Sequence, residues 1–361
     1  MFNKNLHIWI GNYLMQGLRP PIARKRPIDI MFCVADHFEP IWAKPDYQTE
    51  CARVETWCAR YPSLADRHRD ADGIPHRHTF FYPEEEYRPE HLSALAKLCK
   101  SGYGEVEVHL HHDHDTPEGF VDKLSRFKNL LSEKHGLLCK GSDGEIQYGF
   151  IHGNWALNNS RKDGRWCGVN SELALLRETG CYADLTLPSA PSETQTAKIN
   201  SLYYATDDPT RPKSHNTGID LEVGRPPTGD LLMIQGPLTL NFKRRKFGLL
   251  PKIENGEITG DNPATPQRAD LWVNQHIHVK GREEWIFVKV HTHGAQEASF
   301  DALLGKPMDD LLSYLETKYN DGESYRLHYV TSREMYNIIK AAEEGKSGNP
   351  HLYRDYKLVG C

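Results

Sequence analysis

The chain has 361 residues, with 44 Lys and Arg against 49 Asp and Glu for a formal net charge of -5. That length buries a large core in one big domain or two ordinary ones, and the charge balance leaves no basic footprint for nucleic acid. The 8 cysteines are dispersed without a CxxC pair and read as thiols of a reducing, cytoplasmic compartment, while the 19 histidines, several of them clustered, turn attention to metal chemistry.

Residues 1–27 carry Ile8, Trp9, Ile10, Tyr13, Leu14, Met15 and Leu18 at helical spacing, followed by Arg19, Arg24, Lys25 and Arg26. This pattern predicts an amphipathic packing helix and a basic connector, with peripheral membrane contact as its other use. No run approaches the ~20 apolar residues of a membrane span, and the start lacks the pattern of a signal peptide.

Ile28 to Ala35 is an apolar run of strand length that stops at Asp36, His37, Phe38, Glu39 and Pro40. A buried parallel strand delivering ligands at its carboxyl end has this form. Tyr47 to Arg69 reads as helix, His78 to Tyr82 as strand, and Pro89 to Lys100 as helix. Strand alternating with helix is the rhythm of a parallel α/β fold.

The stretch Gly104 to Thr116, GEVEVHLHHDHDT, is the densest in chemistry. Read as a strand, it places Val106, Val108 and Leu110 on one face and Glu105, Glu107, His109 and His111 on the other. A buried row of carboxylates and imidazoles is costly unless paired, and a divalent metal pairs with closely spaced neutral imidazoles. Thr116 to His135 is the next helix. Glu145 to Ile151 is a strand ending in His152, Gly153, Asn154 and Trp155, where the glycine permits close backbone approach or a simple turn. Ser171 to Gly180 is a helix, and Tyr182 to Leu187 a strand containing Asp184.

Ser189 to Pro227 is polar and rich in Pro, Ser and Thr, a long loop suited to a lid or substrate wall. Asp230 to Phe242 returns to strand character, Lys252 to Thr259 suggests a hairpin turning at Asn255-Gly256, and Ala269 to Val279 a helix on which His276 and His278 are structural. Trp285 to Gly294, WIFVKVHTHG, repeats the histidine pattern, with Ile286, Val288 and Val290 on one face and Lys289, His291 and His293 on the other. Leu303 to Tyr319 predicts a helix, Tyr325 to Val330 a strand, and Thr331 to Glu344 a helix with a capping box from Thr331 to Glu334.

The order of Asp36, HTFFYP at 78–83, GEVEVHLHH at 104–112, GFIHGNW at 149–155, Asp184 in YADLT and VHTH at 290–293 resembles the polysaccharide deacetylases of the NodB-homology type. The resemblance covers about 28–294. It implies an irregular (β/α) barrel of seven parallel strands, here one domain over 28–345 with a loop and hairpin insert at 189–265 and a tail at 346–361. It also implies a divalent cofactor, Zn2+ by ligand type, and removal of an acetyl group from an amino sugar or glycan precursor. By the same resemblance Asp36 is the base, His291 or His293 the acid, and His109 a metal ligand. The family's second aspartate is here His37 or Glu39, and its second ligand histidine is replaced among His111, His112 and Asp113. The arginine of the family's third motif is His152, and Asn154, Trp155 and Asp184 complete a substrate wall. Tyr82, Tyr182 and Tyr203 join Trp155 as candidates for sugar stacking. Two rivals remain at this stage: another metal barrel hydrolase of amidohydrolase or phosphoesterase type, and a carbohydrate-binding relative without activity.

Overall fold

The computed structural model describes residues 5–18 and 27–360. The core is a mixed α/β arrangement around a 12-stranded, mostly parallel sheet. In chain order its strands are β1 (Ile28–His37), β2 (His78–Pro83), β3 (Gly104–Leu110), β4 (Cys139–Lys140), β5 (Ile146–His152), β6 (Cys181–Asp184), β7 (Leu202–Ala205), β8 (Ile219–Asp220) and β9 (Leu231–Ile234). β10 (Thr239–Lys246) and β11 (Leu250–Glu254) form a separate antiparallel ribbon, and β12 (Glu257–Ile258), β13 (Trp285–Thr292) and β14 (Tyr325–Tyr329) return to the main sheet. The main path runs β12-β13-β1-β2-β3-β5-β6-β9-β7-β8 and is parallel from β12 to β9. β1 is buried along its whole length, as its near-continuous apolar sequence requires. It pairs with β13 on one side, and on the other with β14 along its first half and β2 along its second.

Alternation gives each strand two faces. Ile30, Phe32 and Val34 of β1, Val106, Val108 and Leu110 of β3, and Ile286, Val288 and Val290 of β13 share one apolar core. That core takes in the apolar sides of α2 (Tyr47–Ala65), α3 (Pro89–Leu98), α4 (Pro117–His135), α6 (Pro266–Asn274) and α8 (Lys306–Tyr319). Asp46 and Thr116 cap α2 and α4 by accepting the backbone N–H groups of Thr49 and Gly119, each worth about 1 kcal/mol. Met31, Cys33 and Ala35 face the other way and pack with Met335, Ile338 and Ile339 of α9 (Ser332–Glu343). The capping box predicted at Thr331 and Glu334 starts that helix.

The N-terminal helix, Ile10–Gly17, docks on the insert. Trp9 is buried in a satellite cluster with Ala190, Ile199, Leu238 and Leu240, while Leu14, Met15 and Leu18 stay exposed. The basic connector at Arg19, Arg24, Lys25 and Arg26 lies outside the described residues. Among the described residues no helix is long and apolar enough to cross a membrane. The tail is packed, since the Leu358 carbonyl accepts from Arg333 and Asn337 of α9.

Four local expectations differ. The stretch expected as a long loop over 189–227 carries β7 and β8, which with β9 extend the main sheet through the expected insert. Asn255 and Gly256 do turn the chain, but β11 pairs back onto β10 while β12 joins β13, so the two arms of the expected hairpin enter different sheets. The helix expected over 303–319 breaks at Gly305, where a Cβ would meet the Asp301 carbonyl at 2.6 Å, giving α7 (Glu297–Leu304) and α8. His276 and His278 lie beyond α6, which stops at Asn274. His276 adopts a positive φ of 52° and its ring bonds the Glu283 carbonyl.

Candidate metal centre

The polar face of β3 reads as a gradient along the strand. Glu105 pairs with Arg333 and Thr331 at the α9 end. Glu107 accepts from the Gly149 N–H at 2.6 Å and from the Tyr182 hydroxyl, and burial pushes its carboxyl up to about 8. His109 and His111 come next, at the carboxyl end, where parallel α/β sheets assemble their sites. His37 ends β1 on that same face, and His293 follows β13.

Glu39, two residues beyond β1, joins these histidines. His37, Glu39 and His293 each bring one ligand atom within 4.8 Å of the others, and so do Glu39, His109 and His111. The His109 Nδ1–H donates to the Ile151 carbonyl at 2.7 Å, which turns Nε2, a lone pair in the neutral ring, to within 3.2 Å of Glu39 Oε1. Two acceptors at that distance repel unless a positive charge lies between them, and either a proton or a metal ion supplies it. His111 gives Nδ1 to Glu85 and turns Nε2 toward Glu39 at 3.6 Å. This is the arrangement in which a carboxylate fixes the tautomer of a ligating imidazole. The His37 ring lies 5.0 Å from His109, 4.8 Å from His293 and 5.9 Å from Trp155.

The electrostatics follow from that crowding. Burial drives His37 well below its ordinary value, and the neighbouring His293, His109, His291 and His111 push the same way. Burial alone raises Glu39, but its hydrogen bond with His109 and the histidine charges outweigh that and hold it low. In His111 burial lowers the pKa, and Glu85 reverses the sign. The site therefore offers a neutral His37 beside an ionised Glu39, protonation states that suit a divalent metal. These buried groups of histidine and glutamate can hold a metal ion.

The other residues expected from the sequence fall in different places. Asp36 turns to the opposite face of β1, fully buried. Its Oδ1 accepts the Gly294 N–H at 2.6 Å and its Oδ2 lies 2.9 Å from His78 Nε2. His291 is buried at the edge of the group, 6.3 Å from the His37 ring. Asp113 holds the Trp166 N–H at 2.6 Å and pairs with His114, away from Glu39. Trp155 faces the histidines, at 5.8 Å from His293, and its buried indole N–H has no hydrogen-bond partner among the described residues. Asn154 precedes it with a positive φ of 54°. Asp184 bonds Thr186, whose hydroxyl accepts the His152 N–H, so it supports the loop rather than the mouth. Tyr82, Tyr182 and Tyr203 are buried in the interior and are not presented for stacking. His152 leaves this site altogether: with His112 it turns to the other face of the sheet, toward Cys167 and Glu172.

Sequence reasoning offered Glu39 only as an alternative to His37, and it missed Glu85 as the partner of His111. The signal for both was present as acids just past β1 and β2. A cavity of about 340 Å³ opens elsewhere, at the amino end of β3, lined by Arg77, Glu105, Glu107 and Arg333. Its charged walls already pair with one another through Arg333 and Glu105, so it lacks convergent free ligands.

A comparison with known protein-family models finds no match, and a search of curated proteins finds none either.

Proposed function

We propose that the chain is a metal-dependent hydrolase that removes an acetyl or similar acyl group from an amino sugar or glycan precursor. The observation that carries the reading is the His109 Nε2 facing Glu39 Oε1 at 3.2 Å, inside a ring completed by His37, His111 and His293 at the carboxyl ends of parallel strands. In this reading β13, β1, β2, β3, β5, β6 and β9 are the staves of an irregular seven-stranded barrel. Support comes from Lys289 of β13, whose ammonium donates to the Leu185 and Leu187 carbonyls beyond β6, and from Gly236, whose Cβ position lies 2.3 Å from the Lys289 carbonyl.

Glu39, His109 and His111 would hold the divalent ion, with His37 beside Glu39, and zinc is favoured by the imidazole-rich set. When bound, it would supply a Lewis acid for the acyl carbonyl and lower the pKa of water toward about 7. His293, half-buried on the rim beside Trp155, carries the proton to the departing amine or alcohol. Asp36 acts through the backbone: by gripping the Gly294 N–H it fixes the residue after His293. Trp155 walls the mouth beside His293 and offers an indole face to a sugar.

The test is hydrolysis of acetylated amino sugars by the purified chain, before and after chelation and zinc replacement. Acetate release that follows metal content, and falls in His293→Ala with metal retained, supports the reading. One observation favours a second. Glu39 belongs to both ligand groups, as a carboxylate bridging two ions would, which is the device of two-metal phosphoesterases. Turnover of a phosphate monoester with no release of acetate moves the assignment there.

A further inference from the structure

Behind β3 and β5, on the face of the sheet covered by α4, a second set of ligating atoms converges. His112 Nε2 and His152 Nε2 lie 2.8 Å apart, each is 3.3 Å from Glu172 Oε1, and Cys167 Sγ is 3.4 Å from Glu172 Oε2. One ligand atom from each of the four residues lies within 4.8 Å of all the others, and all four residues are buried.

The hydrogen bonds fix what these atoms present to one another. The His152 Nδ1–H donates to the Gly153 carbonyl at 2.6 Å, and the His112 Nδ1–H to Asp115, which Lys123 also grips. In the neutral rings both Nε2 atoms are bare, and they point at each other and at a carboxylate oxygen. Three lone-pair donors in a closed pocket need a cation among them. Cys167 Sγ accepts the backbone N–H groups of Asn159 and Val169, at 3.2 and 3.4 Å, and its S–H is directed at Glu172 Oε2. A tetrahedral zinc site separates neighbouring nitrogen and oxygen ligands by roughly 3.3 Å. The two distances to Glu172 already match, and the histidine pair needs only to open slightly. Nearby, the buried ring of His215 has neither nitrogen hydrogen-bonded among the described residues, and it lies close enough to Glu172 and His152 to feel their charges.

We propose that His112, His152, Cys167 and Glu172 form a second, closed metal centre for a borderline-soft divalent cation such as zinc, with a structural role. On binding, the Cys167 S–H bond gives way to a sulfur–metal bond and the proton leaves to solvent. Four protein ligands and full burial mark a structural site, in contrast to the partly open group around Glu39. The centre staples the 153–171 loop to the ends of β3 and β5. That loop contains Asn154, Trp155, Asn158, Asn159 and Trp166 at positive φ, a conformation that persists only when its surroundings hold it. His111 and His112 are adjacent, so the staple also fixes the wall of the first site. The inference stands without the hydrolase reading, because it concerns how the loop is held.

Only this second centre contains sulfur, and that separates the two by spectroscopy. The metal-free full-length chain is titrated with cobalt(II) and followed in the near ultraviolet for thiolate-to-cobalt charge transfer. The expected result is a band that appears on cobalt saturation of the wild type, persists in His109→Ala, and is lost in Cys167→Ser. Wild-type protein measured with and without metal provides a reading that needs no variant to fold: amide exchange over 153–171 slows on metal binding. A folded wild-type chain that shows no thiolate band on saturation with cobalt overturns the proposal, leaving a proton shared between His112 and His152. A band that survives in Cys167→Ser overturns it as well.

Discussion

Asp36 and Gly294 are joined across two neighbouring parallel strands: the Gly294 N–H donates to Asp36 Oδ1 at 2.6 Å, on the side of β1 away from His37. Glycine is required there, since a Cβ at position 294 would lie 2.0 Å from Asp36 Oδ2 and 2.7 Å from Trp57. The bond ties the chain just after His293 to the strand that delivers His37.

This relationship separates two roles for Asp36. If it positions Gly294, Asp36→Asn keeps an acceptor for the N–H and retains most activity, whereas Asp36→Ala lowers kcat with metal content unchanged. If Asp36 is itself the base, the two variants lose activity alike. Steady-state kinetics beside elemental analysis decides between them.

Glu85 holds the Nδ1–H of His111 and keeps its Nε2 turned to Glu39. Carboxylates that orient a ligating histidine are worth about 10 to 100-fold in metal affinity. Glu85→Gln should weaken zinc binding by that order, read by competition with a chromogenic chelator. Unchanged affinity would remove His111 from the ligand set.

Gly153 lies under the His111 ring. A Cβ there would sit 2.3 Å from one ring carbon, 2.5 Å from another and 2.8 Å from the Leu110 carbonyl. Gly153→Ala should therefore displace His111 and cost metal affinity at the first site, while the thiolate band of the second is retained. Equal zinc affinity in Gly153→Ala and wild type would contradict this packing.

Away from both sites, His328 bridges Asp29 and Asp72, at 2.9 and 2.7 Å. Burial lowers its pKa, but the two carboxylates outweigh that and raise it. Burial raises Asp72, but His328 and Asn349 reverse this and hold Asp72 down at about 2. A raised histidine adds stability that is full below its ordinary value of 6.5 and fades as pH climbs through the folded value. The depressed aspartate adds stability that is full above 3.8 and fades as pH falls toward about 2. His328→Asn should destabilise most at about pH 5 and less at about pH 9, measured by urea unfolding at both. A penalty that does not change with pH would show that His328 acts through packing alone.

The histidine strands were legible because alternation is a local property. Val106, Val108 and Leu110 on one side of β3, and Glu105 to His111 on the other, follow from the period of two that the structure shows. The same parity, carried on to the end of β1, places Asp36 with Val34 and His37 with Ala35, but a motif read as a block hides that turn. The second centre was illegible for a different reason. His112, His152, Cys167 and Glu172 come from a strand end, another strand end, an irregular loop and a helix start, with no fixed spacing among them. Only tertiary packing brings them together. The partners of β11 and β12 were hidden likewise, since a turn at Asn255-Gly256 does not say which sheet each arm will join.

The proposed hydrolase needs a cation between His109 and Glu39. The most direct test is the metal content of the purified chain, wild type beside His109→Ala, after reconstitution with zinc and removal of loosely bound ion. The folded variant is expected to lose the ion of this site and to keep the one associated with Cys167. A wild-type chain that binds no metal, or a His109→Ala chain that binds as much as wild type, would contradict it.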